Sequence, residues 1–155
     1  MIKIIAVVLV LIQIPLLGAC SPNTSPVDNP KAQPSLAELQ GQWVVINYWA
    51  KWCKPCIKEI PELNELDQQY SQVTVLGVNY DGATGEELAA QIENLGIEFA
   101  MLTEDPAASL GLPRPVVLPT TIILDRAGQV SQTLIGPQTM ASLALATKQT
   151  TKHSP

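Results

Sequence analysis

The stretch Trp43-Val44-Val45-Ile46-Asn47-Tyr48-Trp49-Ala50-Lys51-Trp52-Cys53-Lys54-Pro55-Cys56 decides the fold of this chain. Its first half is rich in β-branched and aromatic residues, which is typical of a strand buried on both faces of a sheet. A short polar break then leads to two cysteines at the start of a segment with helical periodicity. Cys53 is expected near a helix N-terminus, a setting that lowers the pKa of a cysteine thiol from roughly 8.5 toward 7 or below. Cys56 lies one turn later and can attack a mixed disulfide formed at Cys53.

The rest of the chain predicts alternating strands and helices. In the segment 56–70, apolar residues recur at helical spacing, and the acidic residues are expected on the opposite, solvated face. The predicted elements are a helical turn at 35–41, a strand at 43–49, the helix at 56–70, a strand at 73–78, a helix at 85–95, a short strand at 99–102, a helical turn at 106–110, a hairpin of strands at 121–124 and 129–135, and a helix at about 139–148. This order, βαβαβ followed by ββα, predicts an α/β domain.

Composition limits the function classes that are open to the chain. With 155 residues, 46% of them hydrophobic, the chain suits one domain with a single core. The formal net charge is −5, and Lys and Arg are scattered, so nothing predicts nucleic-acid binding. No metal site is expected either, because one Cys-x-x-Cys pair supplies two ligands where structural zinc needs four. The single histidine, His153, lies in a tail that we expect to fray.

The first twenty residues have the pattern of a bacterial lipoprotein leader. A basic start precedes an apolar run, residues 4–17, that is too short to span a bilayer comfortably. The run ends in Leu17-Gly18-Ala19-Cys20, which resembles a lipobox, the motif whose cysteine receives the lipid. The competing interpretation is an ordinary cleaved signal with an incidental cysteine. Ser21 favours sorting to the outer membrane if the source is Gram-negative.

These features divide the chain into four parts. Residues 1–19 are predicted to be the signal peptide, and residues 20–34 the lipidated cysteine with a Pro-rich tether. A single globular domain is expected over residues 35–148, and a frayed tail over residues 149–155. The odd cysteine count then resolves as Cys20 plus one redox pair.

Three motifs resemble the thioredoxin superfamily. They are Trp52-Cys53-Lys54-Pro55-Cys56 after a buried strand, Pro61 in the following helix, and Leu118-Pro119-Thr120 before a strand. Within the superfamily, the chain is most similar to the membrane-tethered TlpA/ResA-like proteins. The resemblance implies a thioredoxin fold, with a central mixed β-sheet flanked by helices and an extra central αβ element.

The resemblance also implies roles for the motif residues. Cys53 is expected to be the nucleophile and Cys56 the resolving thiol, with no cofactor beyond this pair. A cis bond before Pro119 is expected to turn the Leu118 backbone toward Cys53, where an incoming chain could pair with it. The supporting residues are Trp52, which is expected to pack against the site, and Lys54 and Pro55, the variable pair of the motif.

The proton acceptor is an open question at the level of sequence. Thioredoxins carry a buried aspartate six residues before the first cysteine, but this chain has Asn47 there, and asparagine cannot titrate. Asp81 is the first candidate acceptor and Glu86 a weaker one. For either residue, a solvated surface carboxylate is the competing interpretation.

The expected activity is thiol–disulfide exchange, with a direction that the motif leaves open. The resemblance favours an envelope reductant of protein disulfides, possible substrates being apocytochrome c or oxidised envelope proteins. Such a protein is expected to be a monomer that a membrane electron donor of the DsbD/CcdA type keeps reduced. The alternatives are an envelope oxidant or isomerase, a redoxin acting on peroxides, or a non-catalytic binding module. A peroxide-reducing redoxin would carry a threonine three residues before its cysteine, where this chain has Ala50.

Overall fold

The computed structural model describes residues 35–150. The strands and helices in this range are β1 (Trp43–Trp49), α1 (Lys54–Gln69), β2 (Val73–Asn79), α2 (Gly85–Leu95), β3 (Ala100–Met101), β4 (Thr120–Leu124), β5 (Val130–Ile135) and α3 (Met140–Ala146). Their order confirms the predicted βαβαβ–ββα succession. The predicted signal peptide, Cys20, the tether and tail residues 151–155 lie outside the described residues. Across 35–150, the helices are too short or too polar to cross a membrane.

The five strands form one mixed sheet in the order β3-β2-β1-β4-β5. β1 pairs in parallel with β2 and antiparallel with β4, and β5 pairs antiparallel with β4. All seven residues of β1 are buried, which confirms the prediction from its continuous apolarity. Alternate side chains enter two cores: Val45 and Trp49 join the one that α1 and α3 help to form, and Ile46 and Tyr48 join the other. β1 is thus fixed from both sides, and so is the end of β1 that leads to the cysteines.

The extra αβ element expected from the resemblance consists of α2 and β3. It lies between β2 and β4 in the chain, and β3 extends the sheet in parallel beyond β2. The contact is close at Gly77 on β2, because a Cβ there would lie 2.5 Å from the Met101 sulfur and 3.0 Å from the Phe99 ring. A larger residue at this position would therefore make the Met101 and Phe99 side chains shift.

Some element bounds differ from the predicted ones. α1 begins at Lys54, two residues early, because Cys53 caps the helix and a proline is tolerated in a first turn. β3 pairs over two residues instead of the expected four. The predicted helical turn at 106–110 consists of hydrogen-bonded turns, with Leu110 N donating to Pro106 O at 3.0 Å. Residues 35–40 likewise form turns, in which Ser35 N donates to the Glu38 carboxylate at 2.7 Å.

Candidate active site

The two cysteines lie at the N-terminus of α1, as the sequence predicted. Cys53 is the N-cap residue, and its sulfur accepts a hydrogen bond from the backbone N–H of Cys56 at 3.3 Å. The two sulfurs are joined in a disulfide, and both residues are buried. Lys54 and Pro55 lie exposed in the first turn. When the disulfide opens, the helix terminus stabilises negative charge on the Cys53 sulfur.

A buried carboxylate, that of Glu59, lies one turn after Cys56 on α1 and is 2% exposed. Its Oε1 accepts a hydrogen bond from Asn47 Nδ2 at 2.7 Å, and its Oε2 accepts one from Gln138 N at 2.8 Å. Burial raises the pKa of Glu59 above its ordinary value, while the hydrogen bonds from Gln138 and Asn47 act in the opposite direction. The Glu59 carboxylate can therefore take up a proton at a higher pH than an exposed glutamate.

Asn47 connects this carboxylate to the centre of the sheet. Its Nδ2 also donates to Thr121 Oγ1 on β4 at 3.2 Å, whereas its Oδ1 has no hydrogen-bond partner within residues 35–150. An amide carries both donors and an acceptor. In the observed orientation the Asn47 Nδ2 donates to Glu59, which suits the ionised carboxylate. If the amide group rotated, Asn47 Oδ1 could accept a hydrogen bond from the protonated carboxyl group of Glu59.

The loop before β4 has the backbone conformation that the resemblance implied. The Leu118–Pro119 peptide bond is cis, and Pro119 is buried. Its carbonyl oxygen accepts a hydrogen bond from Gly136 N at 2.9 Å. Thr120 Oγ1 donates to Val117 O at 2.7 Å. These bonds fix the loop to the ends of β4 and β5.

Asp81 lies at the surface beside Trp52. The Trp52 ring is 60% exposed, and its Nε1 donates to both Asp81 carboxylate oxygens, at 3.1 Å and 3.0 Å. Glu86 is exposed in the first turn of α2. Among the carboxyl groups considered, Glu59 combines burial with a position on the same helix as the cysteines.

Comparison with known proteins identifies the family of this chain. The sequence matches the AhpC/TSA family over residues 17–133. The chain belongs to the AhpC/TSA family. It is 30% identical over 131 residues to a protein of Bacillus thuringiensis (strain Al Hakam) named thiol-disulfide oxidoreductase ResA, an alignment that covers 82% of this chain and 74% of that protein.

Two solved structures are similar to this chain in fold and sequence. A secreted thiol-disulfide isomerase from Corynebacterium glutamicum is similar with a TM-score of 0.62 and 27% identity, over 72% of this chain and 71% of that one. A DsbF homologue from Corynebacterium diphtheriae gives a TM-score of 0.62 at 28% identity, over 73% and 74%. This AhpC/TSA family member is therefore a thiol–disulfide oxidoreductase with a thioredoxin-like α/β fold.

Glu59 was not among the residues predicted from the sequence to belong to the site. The expectation that the acidic residues of this helix lie on its solvated face is wrong for Glu59, which is buried among apolar neighbours. The signal was present in the spacing: Cys56, Glu59 and Leu63 follow one another at i, i+3 and i+7, the spacing of a single helix face. A carboxylate within an apolar stripe is an indication of a functional group.

Proposed function

We propose that this oxidoreductase reduces disulfides in other proteins. The Cys53 thiolate attacks one sulfur of the substrate disulfide, and the other substrate sulfur leaves as a thiolate. Cys56 then loses its proton and attacks the Cys53 sulfur of the mixed disulfide, which releases the second substrate thiolate. Two electrons pass to the substrate, and the enzyme ends with the Cys53–Cys56 disulfide. The observation that carries this proposal is the capping of α1 by the Cys53 sulfur, with a buried carboxylate one turn beyond Cys56.

We assign the proton from Cys56 to Glu59. Both residues are buried on one face of α1, and the raised pKa of Glu59 brings its titration closer to the pH at which thiols act. Asn47 and Gln138 N hold the carboxylate in place. Asp81, the first candidate from sequence, instead orients the Trp52 ring.

The substrate is proposed to approach along the loop that carries Leu118 and Pro119. Cys53 is buried, so the substrate disulfide must reach its thiolate at the surface to which the exposed neighbours Trp52, Lys54 and Pro55 belong. An extended substrate segment would align its backbone with that of Leu118 as an added strand. The two sulfurs carry the electrons in this scheme, so it needs no further cofactor.

The cellular setting is also a proposal. Support comes from the lipobox-like Leu17-Gly18-Ala19-Cys20 and from the Corynebacterium glutamicum homologue, which is described as secreted. We place the domain in the bacterial cell envelope, anchored through lipid on Cys20 and, if the source is Gram-negative, sorted by Ser21 to the outer membrane. It would act as a monomer and receive electrons from a membrane donor of the DsbD/CcdA type.

A second function, oxidation or isomerisation of envelope disulfides, is favoured by the description of that same homologue as a thiol-disulfide isomerase. Oxidation would use the same two cysteines with electrons flowing in the opposite direction, whereas isomerisation would rearrange substrate disulfides with no net electron flow. The reduction potential of the Cys53–Cys56 pair separates the two functions. An oxidant or isomerase is expected above about −150 mV, and a reductant below that value.

The test combines this potential with a turnover assay. The protein should reduce insulin, Cys53→Ser should abolish the reaction, and Cys56→Ser should accumulate a mixed disulfide at Cys53. Cys20→Ser removes the third cysteine and serves as the control that keeps full activity. A potential above about −150 mV, or insulin reduction that survives Cys53→Ser, would overturn the proposal.

A further inference from the structure

Two buried amide side chains, those of Asn79 and Gln91, connect the end of β2 to α2. Asn79 Nδ2 donates to Gln91 Oε1 at 2.9 Å, and the two residues are 7% and 8% exposed. The other two polar atoms of this buried amide pair also have partners. Asn79 Oδ1 accepts from Ala83 N at 3.0 Å, and Gln91 Nε2 donates to Glu87 Oε1 at 3.1 Å. A buried polar network in which every group is bonded fixes a single arrangement of the segments that it joins.

The turn between β2 and α2 holds the Trp52 ring. Asn79 fixes this turn by its side chain and also by its backbone, since Gly82 N donates to Asn79 O at 3.1 Å. The same turn carries Asp81, whose carboxylate accepts the hydrogen bonds of Trp52 Nε1. Trp52 directly precedes Cys53, so the turn determines where the exposed ring lies next to the nucleophile.

α2 also contacts the residue before Trp52. Glu87 Oε1, which accepts from Gln91, accepts as well from Lys51 Nζ at 3.1 Å. Both residues before Cys53 are therefore connected to the buried amide pair, Lys51 through Glu87 and Trp52 through the turn after β2. The Lys51 contact is an exposed ion pair, which contributes little by itself. The buried pair and the turn are the stronger connection.

We propose that Asn79 and Gln91 are positioning residues for thiol–disulfide exchange: they hold the turn that carries Asp81, and through it the Trp52 ring that borders the approach to Cys53. The inference rests on the proposed function, because Trp52 belongs to the surface at which the substrate disulfide must arrive. It also gives the extra αβ element a role in the site, since α2 supplies Gln91. Loss of the pair should weaken substrate binding more than it slows the reaction of the two cysteines.

The first test is a double-mutant cycle with insulin as substrate. Gln91→Met keeps the length of the side chain but removes its hydrogen bonds, and it is expected to raise KM by about threefold with little change in kcat. Asp81→Ala removes the acceptor of the Trp52 indole and should raise KM by a similar factor. The double variant should show no further rise, because both changes act through the same ring. Independent losses of stability would instead add.

The indole N–H resonance of Trp52 gives a second readout that does not depend on electron flow. It is recorded on the oxidised protein and assigned by its absence from Trp52→Phe. In Gln91→Met the resonance should move toward its position in Asp81→Ala. The matched control is Gln42→Met, since Gln42 is a half-buried glutamine that accepts from Thr74 Oγ1 at 2.6 Å and precedes β1, at the end away from the cysteines. This variant should leave both the resonance and KM at their wild-type values.

Glu87→Ala keeps the test open if Gln91→Met does not fold, because Glu87 is exposed. It removes the acceptor of Gln91 Nε2, so the Trp52 resonance should move in the same direction by a smaller amount. An unchanged resonance in the variant that folds, or additive rises of KM in the double variant, would overturn the positioning role. If the wild type fails to reduce insulin while the resonance moves as expected, the reductant proposal fails and the positioning of Trp52 by the buried amide pair stands.

Discussion

At the scale of single residues, Glu59→Gln tests the proposed proton transfer. The glutamine keeps the size of the side chain but cannot take a proton from Cys56. Insulin reduction at pH 7 is expected to fall about 100-fold, the lower end of what a positioned general base contributes. The deficit should shrink above about pH 8.5, because hydroxide in solution then deprotonates the thiol. The measurement is the rate of insulin reduction as a function of pH.

The matched control is Glu65→Gln, since Glu65 is an exposed glutamate of the same helix that bonds with Gln69. This variant should keep the wild-type rate at every pH. A uniform loss in Glu59→Gln from low to high pH would contradict a proton-transfer role and indicate a packing effect instead.

Glu59→Gln should also change the pH dependence of stability. Because the folded-state pKa of Glu59 is raised above its ordinary value of 4.5, the native protein holds this proton over a pH range in which the unfolded chain has lost it. The free energy of unfolding therefore falls as pH rises from 4.5 to the folded-state pKa. Glu59→Gln removes this contribution, so urea denaturation should show a flatter pH dependence above 4.5.

The site residues that could be predicted from the sequence are those that belong to short motifs. The pair Cys53 and Cys56 was found by its spacing and its position after a buried strand, and the cis bond at Pro119 by resemblance. Glu59 was missed because carboxylates are almost never fully buried unless they are paired, and its partners are distant in sequence. Asn47 lies 12 residues away and Gln138 lies 79 away.

At the scale of elements, Arg114 holds the segment between β3 and β4 against the sheet. Its guanidinium bonds with Asp105 and with Tyr80 O, and it stacks over the Tyr80 ring at 4.1 Å from the ring centroid. Tyr48 on β1 donates to the other Asp105 oxygen at 2.6 Å. The loop that leads to Pro119 is thereby fixed to β1 and to the end of β2.

Arg114→Gln should loosen this loop. The free energy of unfolding is expected to fall by about 1 kcal/mol, the scale of a partly exposed hydrogen-bonded charge. Arg114→Lys should restore little of it, because an ammonium group lacks the planar fork that bonds two partners at once. Amide hydrogen exchange at Leu110 and Leu112 should accelerate in both variants, since these amides close the turns within the loop.

The control is Arg126→Gln, which removes an exposed arginine that bonds Gln72 outside this loop. Its amides at Leu110 and Leu112 should exchange at the wild-type rate. Full rescue by Arg114→Lys would show that charge alone holds the loop and would contradict the geometric argument.

At the scale of the whole molecule, the apolar periodicity of the sequence predicted the strands and helices, but it did not predict which of them contact one another. The order of strands and helices followed from apolar patterns within single segments. The contacts that hold the Arg114 loop could not be predicted in this way, because they join segments far apart in the chain: Arg114 and Tyr80 are separated by 34 residues, and Tyr48 and Asp105 by 57.

Cys20 is the residue at which the proposed lipid anchor can be separated from the enzyme domain. The proposed redox residues all lie within 35–150, so the site should not depend on the leader. Two or three acyl chains hold a protein stably at a membrane, whereas a single chain gives marginal binding. Cys20→Ser should therefore move the protein from the membrane fraction to the soluble fraction of cells, while the purified variant reduces insulin at the wild-type rate.

Intact-mass measurement of the wild type should show a mature chain that begins at a lipid-modified Cys20. A mature chain that begins elsewhere, or a serine variant that stays with the membrane, would contradict the lipoprotein assignment without affecting the chemistry of Cys53 and Cys56.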